Sequence, residues 1–593
     1  MKKYIIILLS LVGLPIIAQK PVDKRLNGLD TFVARVLKDW KAPGVTIAVV
    51  EKNNVVYTGG FGYRDLEKKL PVTESTLFAI GSCTKAFTAS LLGMLAKDGL
   101  VDYDKPVRNY LPELKFYNEY LNDHVTLRDM MSHRTGLPRH DNSWYGSNAS
   151  RMELLRRIEF QEPTEELRAK WQYNNFMFLS QGVVIEKLSG KSWEDNMKEK
   201  ILNPLGMNQT ETHISGMESA QDKSLAYTLI KDSFALLIPY RNIDAIGPAG
   251  SINSSAKDMA KWLITWINGG KYMGKEIIPA DHVKQAMSIQ MAQGSVPNTA
   301  ENPDVQGFGY GLAWGISSYR SHYRVEHGGG IDGFISSTGF FPNDSIGIFV
   351  ASCTGGVTSS IRNYIADRML GLPYRDWEKV VRDPYVKQRF ASMMNPKKID
   401  SSQLILNTHP SHPLTDYVGK YINKGYSPME LKMKGQDLVA ESNGMTFTMK
   451  HKYYDLFEGK LDGKQYEEDE SLDFLFSSAK DGSIHTLSLP LQPGLKDIVF
   501  TRDEGFTVKT DDLKKYAGEY TLGPQAVSFV IRGNSLFALL PPQPDYELIP
   551  TAKDEFKLKI MEGFKVKFKI DESGKASEAS FIQPNGVFTA KRK

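Results

Sequence analysis

Ser82-Cys83-Thr84-Lys85 places a hydroxyl and an amine three residues apart at the head of an apolar, helix-patterned stretch. Positions i and i+3 share a helix face, so the two groups are neighbours. A serine hydroxyl is a poor nucleophile near neutral pH and needs an adjacent base to take its proton. A lysine in a partly desolvated, cationic pocket has a lowered pKa and can share that task. The tetrad alone says little, because Ser254-Ser255-Ala256-Lys257 and Ser477-Ser478-Ala479-Lys480 repeat it in the same chain. Context separates Ser82. It follows a strand-and-loop segment ending in Gly81, opens an amphipathic helix, and precedes two further clusters.

The second cluster is Tyr173-Asn174-Asn175, between Trp171 and a helical stretch from about Phe176 to Leu188. A tyrosine held between two cations could ionise below its usual pKa of about 10 and act as a general base. Asn175 offers both a donor and an acceptor to a substrate amide. The bland alternative is an aromatic in a turn beside a helix N-cap. The third cluster, His327-Gly328-Gly329-Gly330, ends a strand-like segment. Residues without side chains let a substrate backbone lie against a strand edge; a hairpin rich in glycine is the alternative. Gly328-x-Gly330-x-x-Gly333 also satisfies the dinucleotide fingerprint, but strand-like Phe334 to Phe341 follows it where a helix is required.

Other candidates point to structure. His133, in Ser132-His133-Arg134-Thr135-Gly136-Leu137-Pro138, ends a helical segment and organises the loop. Glu467-Glu468-Asp469-Glu470 reads as a solvated turn. No His-Glu-x-x-His, calcium loop or Gly-x-Ser-x-Gly elbow is found, so neither a metal nor a cofactor is expected.

Strands and helices must hold these clusters. Gly44 to Val50 and Asn54 to Tyr57 read as strands joined by a polar turn. From Ser82 to about Lys97, Phe87, Leu91, Met94 and Leu95 recur at helical spacing before Gly99. Helical segments dominate to about Asn268. Strands resume at Tyr310 to Trp314, Arg324 to His327, Phe334 to Phe341 and Ile346 to Ala351, before a closing helix at Ser359 to Leu370. Strands from both ends flanking a helical middle imply one α+β domain, an antiparallel sheet with a large helical insertion.

Beyond Pro373 a polar, Lys-rich connector (374–411) leads into a repeat. Leu414-x-x-Tyr417-x-Gly419-x-Tyr421 returns as Leu513-x-x-Tyr516-x-Gly518-x-Tyr520. Gln492-Pro493-Gly494, leading to Val499-Phe500-Thr501, returns at Gln583-Pro584-Asn585-Gly586 before Val587-Phe588-Thr589. Two β-rich, barrel-like domains follow, at 412–503 and 511–593.

In this order and spacing the three clusters resemble the active site of the serine β-lactamase and penicillin-binding protein superfamily. The likeness is to its class C branch, which includes D-alanyl-D-alanine carboxypeptidases, D-aminopeptidases and esterases. It covers roughly residues 25 to 370, with Pro248-Ala249-Gly250-Ser251 and Tyr310-Gly311-Leu312-Ala313-Trp314. The resemblance implies a β-lactamase/transpeptidase-like domain over 19–373. Ser82 would be the acylated nucleophile, and Lys85 and Tyr173 its proton handlers. Asn175, His327 and Gly329 would bind substrate, and the N–H groups of Ser82 and Gly330 would form the oxyanion hole. His327 stands where the third motif usually has lysine. A histidine of ordinary pKa is largely neutral at pH 7 and charges on mild acidification. That shifts the expectation from efficient β-lactam hydrolysis to amide, ester or D-residue peptide substrates. The two barrels after the catalytic domain also resemble D-aminopeptidases.

A chain of 593 residues holds several folding units. Its formal charge of +4 is too small to argue for nucleic acid. Lys2 and Lys3, the apolar run from Tyr4 to Ile17, and Ala18 read as a signal peptide cut after Ala18, with an uncleaved anchor as the alternative and no later membrane span. The expected place is periplasmic or secreted. Cys83 and Cys353 are the sole cysteines, one possible bridge or two buried thiols. The expectation is an exported serine hydrolase that cleaves amide or peptide bonds at D-residues, in small-molecule, peptide or cell-wall-derived substrates. A carboxylesterase, a weak β-lactamase or a slowly acylating penicillin-binding sensor are the alternatives.

Overall fold

The computed structural model describes residues 23–230, 234–294, 307–353, 356–394, 407–463, 471–503, 505, 508–561, 563–583 and 586–593. The expected signal peptide and the acidic run at 467–470 lie outside them. Two compact units are present, Met1–Thr501 and Arg502–Lys593.

The first unit begins with an α+β domain. Its strands are β1 (Gly44–Glu51), β2 (Asn54–Asp65), β3 (Leu70–Pro71), β4 (Met291–Gly294), β5 (Phe308–Tyr310), β6 (Gly315–Tyr319), β7 (His322–Ile331), β8 (Phe334–Phe341) and β9 (Ile346–Ser352). They form one antiparallel sheet in the order β4-β5-β6-β7-β8-β9-β1-β2-β3. The two ends of the domain therefore meet at β9 and β1, where Val49 pairs with Ile348. The helices that matter here are α1 (Leu29–Asp39), α2 (Thr84–Lys97), α3 (Asn175–Ser189), α4 (Ala256–Ile267), α5 (Val357–Met369) and α6 (Trp377–Met394). Val45, Ile47 and Val49 join the core formed with α1 and α5. Ala48 and Val50 join the larger core that contains α2, α3 and α4. A sheet covered on both faces takes a continuous apolar run, which is why Gly44 to Val50 shows no alternation.

Helix α2 differs from its expected amphipathic form, for nearly every residue from Thr84 to Leu95 is buried. Phe87 stacks on Trp262 of α4 with ring centroids 3.7 Å apart. On the polar side, Thr88 Oγ1 donates to the Pro248 carbonyl at 2.7 Å. A helix buried all round is a core element, so Lys85 is carried into the interior.

Part of the stretch read as a connector is helix α6. Trp377 is buried, its indole N–H donating to Asp367 at 2.6 Å, and Val380 and Val381 pack on the same core. These three apolar residues at i, i+3 and i+4 are an amphipathic signal that the surrounding Lys and Arg masked. No described helix is long and apolar enough to cross a membrane.

The repeat closes into two eight-stranded antiparallel barrels, from Gly419–Ile422 to Ile498–Arg502 and from Gly518–Leu522 to Gly586–Arg592. Its tyrosines do the same work in each. Tyr421 donates to the Tyr417 carbonyl at 3.0 Å, and Tyr520 to the Tyr516 carbonyl at 2.9 Å. Tyr417 binds Asp455, and Tyr516 binds Asp554. The duplicated pattern thus supplies one buried polar anchor per barrel.

Candidate active site

Ser82 lies in a 3-10 turn, Gly81–Cys83, that leads into α2. The turn is pressed against β7. Gly81 has φ +50°, and a Cβ there would meet the Gly330 nitrogen at 2.6 Å. A Cβ on Gly329 would stand 1.9 Å from the Ile80 carbonyl oxygen. The buried Cys83 thiol donates to the His327 carbonyl at 3.2 Å, and Ser336 on β8 donates to the Ile80 carbonyl at 2.7 Å. These contacts bring the Ser82 and Gly330 backbones side by side on the cleft wall. The other two tetrads have no such setting. Ser254 is buried against Thr210 at 2.8 Å, and Ser477 sits on a strand of the first barrel.

Lys85 is fully buried. Its Nζ lies 2.9 Å from Ser82 Oγ, 2.8 Å from Asn175 Oδ1 and 2.8 Å from the Ala249 carbonyl. The Asn175 orientation is fixed by its other end, where Nδ2 donates to the Asp141 carboxylate at 3.0 Å. Two of the three Lys85 partners can only accept. An ammonium would donate to all three partners; a neutral amine would donate to the two carbonyl oxygens and take the Ser82 proton on its lone pair. Burial, helped by the nearby Arg139 charge, drives the Lys85 pKa well below its usual value; Asp141 opposes the shift. The lowered pKa favours the neutral form, and the contact distance places that amine against the Ser82 hydroxyl. Asn175 retains one N–H and one lone pair for a substrate amide.

The buried Tyr173 phenol is near enough to Ser82 for that hydroxyl to pull its pKa down. Its expected low pKa is corrected: burial raises it, outweighing Ser82 and Arg139. Lys85 and His327 both favour their neutral forms, and Arg139, the cation that stays beside the ring, does not offset burial. Tyr173 therefore holds a proton it can donate. Its backbone is braced by His133, whose carbonyl accepts the Gln172 N–H at 2.8 Å and whose Nδ1 accepts the Asn174 N–H at 3.2 Å. The His133 ring lies 4.2 Å from the Tyr173 ring, so the loop role expected of His133 becomes support of the phenol. Asn174 is the N-cap of α3, accepting from the Met177 N–H.

His327 needs a second correction. Its Nδ1–H donates to the Gly328 carbonyl at 2.6 Å, and its Nε2 accepts from the Tyr310 hydroxyl at 2.8 Å. Both nitrogens are occupied, and burial lowers the pKa to about 4. His327 thus stays neutral through mild acidification and offers no cation to a substrate. The ratio of kcat/KM for a penicillin to kcat/KM for a neutral ester is expected to stay flat from about pH 8 to about pH 5.5. A several-fold rise of that ratio on acidification would mean that His327 titrates against the substrate. Gly329 packs against the Ile80 carbonyl with no room for a side chain, and Gly330 lines the cleft.

The cleft over Ser82 encloses about 410 Å³. Sequence reasoning missed the charged and aromatic part of its wall: Arg139, Asp141, Trp144, Tyr145 and Asp332. The Arg139 guanidinium lies 4.9 Å from the Tyr173 ring centroid and pairs with Asp141 at 2.6 Å. Asp332 is held by Arg241 and Tyr145. The available signal was a charged run, Arg139-His140-Asp141, directly after the Gly136-Leu137-Pro138 turn.

The Beta-lactamase family profile matches residues 29–367, and a domain of unknown function, DUF3471, matches residues 405–502. An unguisins hydrolase of Aspergillus campestris is 30% identical over 429 residues, 68% of this chain and 76% of that protein. A second unguisins hydrolase, of Aspergillus violaceofuscus, is 28% identical over 443 residues with the same coverage. An octameric penicillin-binding protein homologue from Pyrococcus abyssi superposes with a TM-score of 0.52 at 22% identity, over 87% of this chain and 98% of that one. This last likeness concerns the fold. The chain belongs to the β-lactamase family and is a serine hydrolase of the β-lactamase and penicillin-binding protein superfamily.

Proposed function

We propose that this hydrolase is exported and cleaves amide bonds at D-residues through an acyl-enzyme on Ser82. The carrying observation is the fully buried Lys85 amine 2.9 Å from Ser82 Oγ, where burial favours the neutral form that can take the Ser82 proton. Ser82 Oγ attacks the carbonyl carbon while its proton passes to Lys85. The developing oxyanion is met by the Ser82 and Gly330 N–H groups. The carbon–nitrogen bond then breaks as Tyr173 gives its proton to the leaving amine, and Lys85 restores the phenol. Water attacks the ester along the reverse path and releases the acid.

The leaving group and stereochemistry rest on three supports. The neutral, doubly bonded His327 leaves no third-motif cation for the carboxylate of a β-lactam. The order of one catalytic domain and two barrels resembles D-aminopeptidases. Relatives named as unguisins hydrolases are similar over three quarters of their length. Export rests on the basic start and apolar run at residues 2–17. The test is kcat/KM for D- and L-aminoacyl anilides, a short acyl ester and a chromogenic cephalosporin. A D over L preference of at least about tenfold is expected, worth about 1.4 kcal/mol, with slow cephalosporin turnover. Preference for L-substrates, or turnover of esters alone, would refute the amide assignment. Cell fractionation should place the protein outside the cytoplasm.

A further inference from the structure

The loop at residues 139–148 has two faces. Arg139 and Asp141 line the cleft, whereas His140 and Asn142 point into the first barrel. His140 is buried in a left-handed conformation with φ +49°. Its N–H donates to Gln492 Oε1 at 2.7 Å. Its Nε2–H donates to the Glu162 carbonyl at 3.1 Å, so its Nδ1 accepts from the Tyr426 hydroxyl at 2.8 Å. Asn142 Nδ2 donates to the Leu491 carbonyl at 2.8 Å, and Ser143 Oγ to the Gly425 carbonyl at 2.6 Å. Gln492, Tyr426, Leu491 and Gly425 all belong to the segment matched by the domain of unknown function. On the other face, Asp141 Oδ1 accepts from Asn175 Nδ2 at 3.0 Å and from the Trp144 indole at 2.7 Å. Asn175 Oδ1 then accepts from Lys85.

We propose that the first barrel is a working part of the active site: it grips residues 139–148 so that Asp141 orients the Asn175 amide toward Lys85. This assignment rests on the reading of Ser82 and Lys85 as the reacting pair. A left-handed, non-glycine residue is strained and persists where its surroundings hold it. Here the holding groups come mainly from the barrel. Without Asp141 to accept its N–H, the Asn175 amide is free to turn and present N–H groups to Lys85, which has no use for a donor there. Asp141 is a positioning residue, acting through Asn175, and Tyr426 and Gln492 position it in turn.

The test uses the full chain and a neutral acyl ester, with rates normalised by active-site titration. Tyr426→Phe combined with Gln492→Ala removes two barrel contacts outside the cleft. It should lower kcat and the Ser82 acylation rate by on the order of tenfold, with KM within about threefold of wild type. Asp141→Ala should lower kcat by on the order of a hundredfold, the scale of a misplaced catalytic group. Asp141→Asn still offers Oδ1 to Asn175 and should recover at least about tenfold of that loss, a rescue that general damage to the loop would not give. Wild-type rates in the barrel variant, effects confined to KM, or no advantage of Asn over Ala would overturn the proposal. Labelling of wild-type Ser82, read before any variant is made, shows separately whether the underlying reading stands.

Discussion

Lys85→Met is expected to lower kcat for an acyl ester by about 10²–10⁴-fold, the range that a positioned general base contributes. The variant keeps most of the length of the side chain and the Ser82 hydroxyl but removes the amine nitrogen 2.9 Å from it. The Asn175 Oδ1 and Ala249 carbonyl lose a buried donor, which costs about 1–3 kcal/mol for each group left unpaired. The variant should therefore also melt earlier. The sign of the pH dependence follows from the same site. Burial lowers the Lys85 pKa, so the base form persists to lower pH than for a free lysine. The acid limb of kcat/KM should then lie well below the ordinary lysine value of about 10.4. A rate still rising toward that value, or a variant within about threefold of wild type, would exclude Lys85 as the base.

Much of this arrangement is legible in the sequence for physical reasons. Ser82 and Lys85 meet because they are three residues apart on a helix, and their spacing alone says so. The barrels are legible because the tyrosine repeat marks the same buried anchor twice. The neutrality of His327 is not legible, since it depends on burial and on Tyr310, 17 residues away in the chain. Tyr173 is misread for a related reason: its pKa is set by how deeply the fold buries it, which no local pattern reports. Asp141 reaches Asn175 across 34 residues and is held in place by a barrel some 300 residues further on. Helix α6 is different, because Trp377, Val380 and Val381 carry a readable stripe that the charged composition obscured.

Gly329→Ala should be the most damaging single methyl in the domain. The new Cβ would fall 1.9 Å from the Ile80 carbonyl and 2.7 Å from Ser336 Oγ, and the first of these is backbone that cannot rotate away. Ile80 precedes the Ser82 turn by one residue, so relief moves the nucleophile relative to Gly330. A displacement of about 1 Å at a reacting group costs on the order of a hundredfold in rate. The overpacking itself should cost about 1–3 kcal/mol in stability. Gly328→Ala is the matched control. Its Cβ would find only the Ser336 carbonyl, at an ordinary 3.6 Å, and kcat should stay within about threefold. Steady-state kinetics and thermal melts of both variants decide the matter. Equal behaviour of the two would mean that the turn does not rest on β7 as described.

Ser82 is expected to be the group that becomes acylated. A fluorophosphonate reacts readily with an activated serine and forms a stable adduct that survives digestion. Mass spectrometric peptide mapping should find the adduct on the peptide containing Ser82-Cys83-Thr84-Lys85, at the serine, and Ser82→Ala should abolish it. An adduct on Ser254 or Ser477, which head the same tetrad elsewhere, or unchanged labelling of Ser82→Ala, would contradict the account.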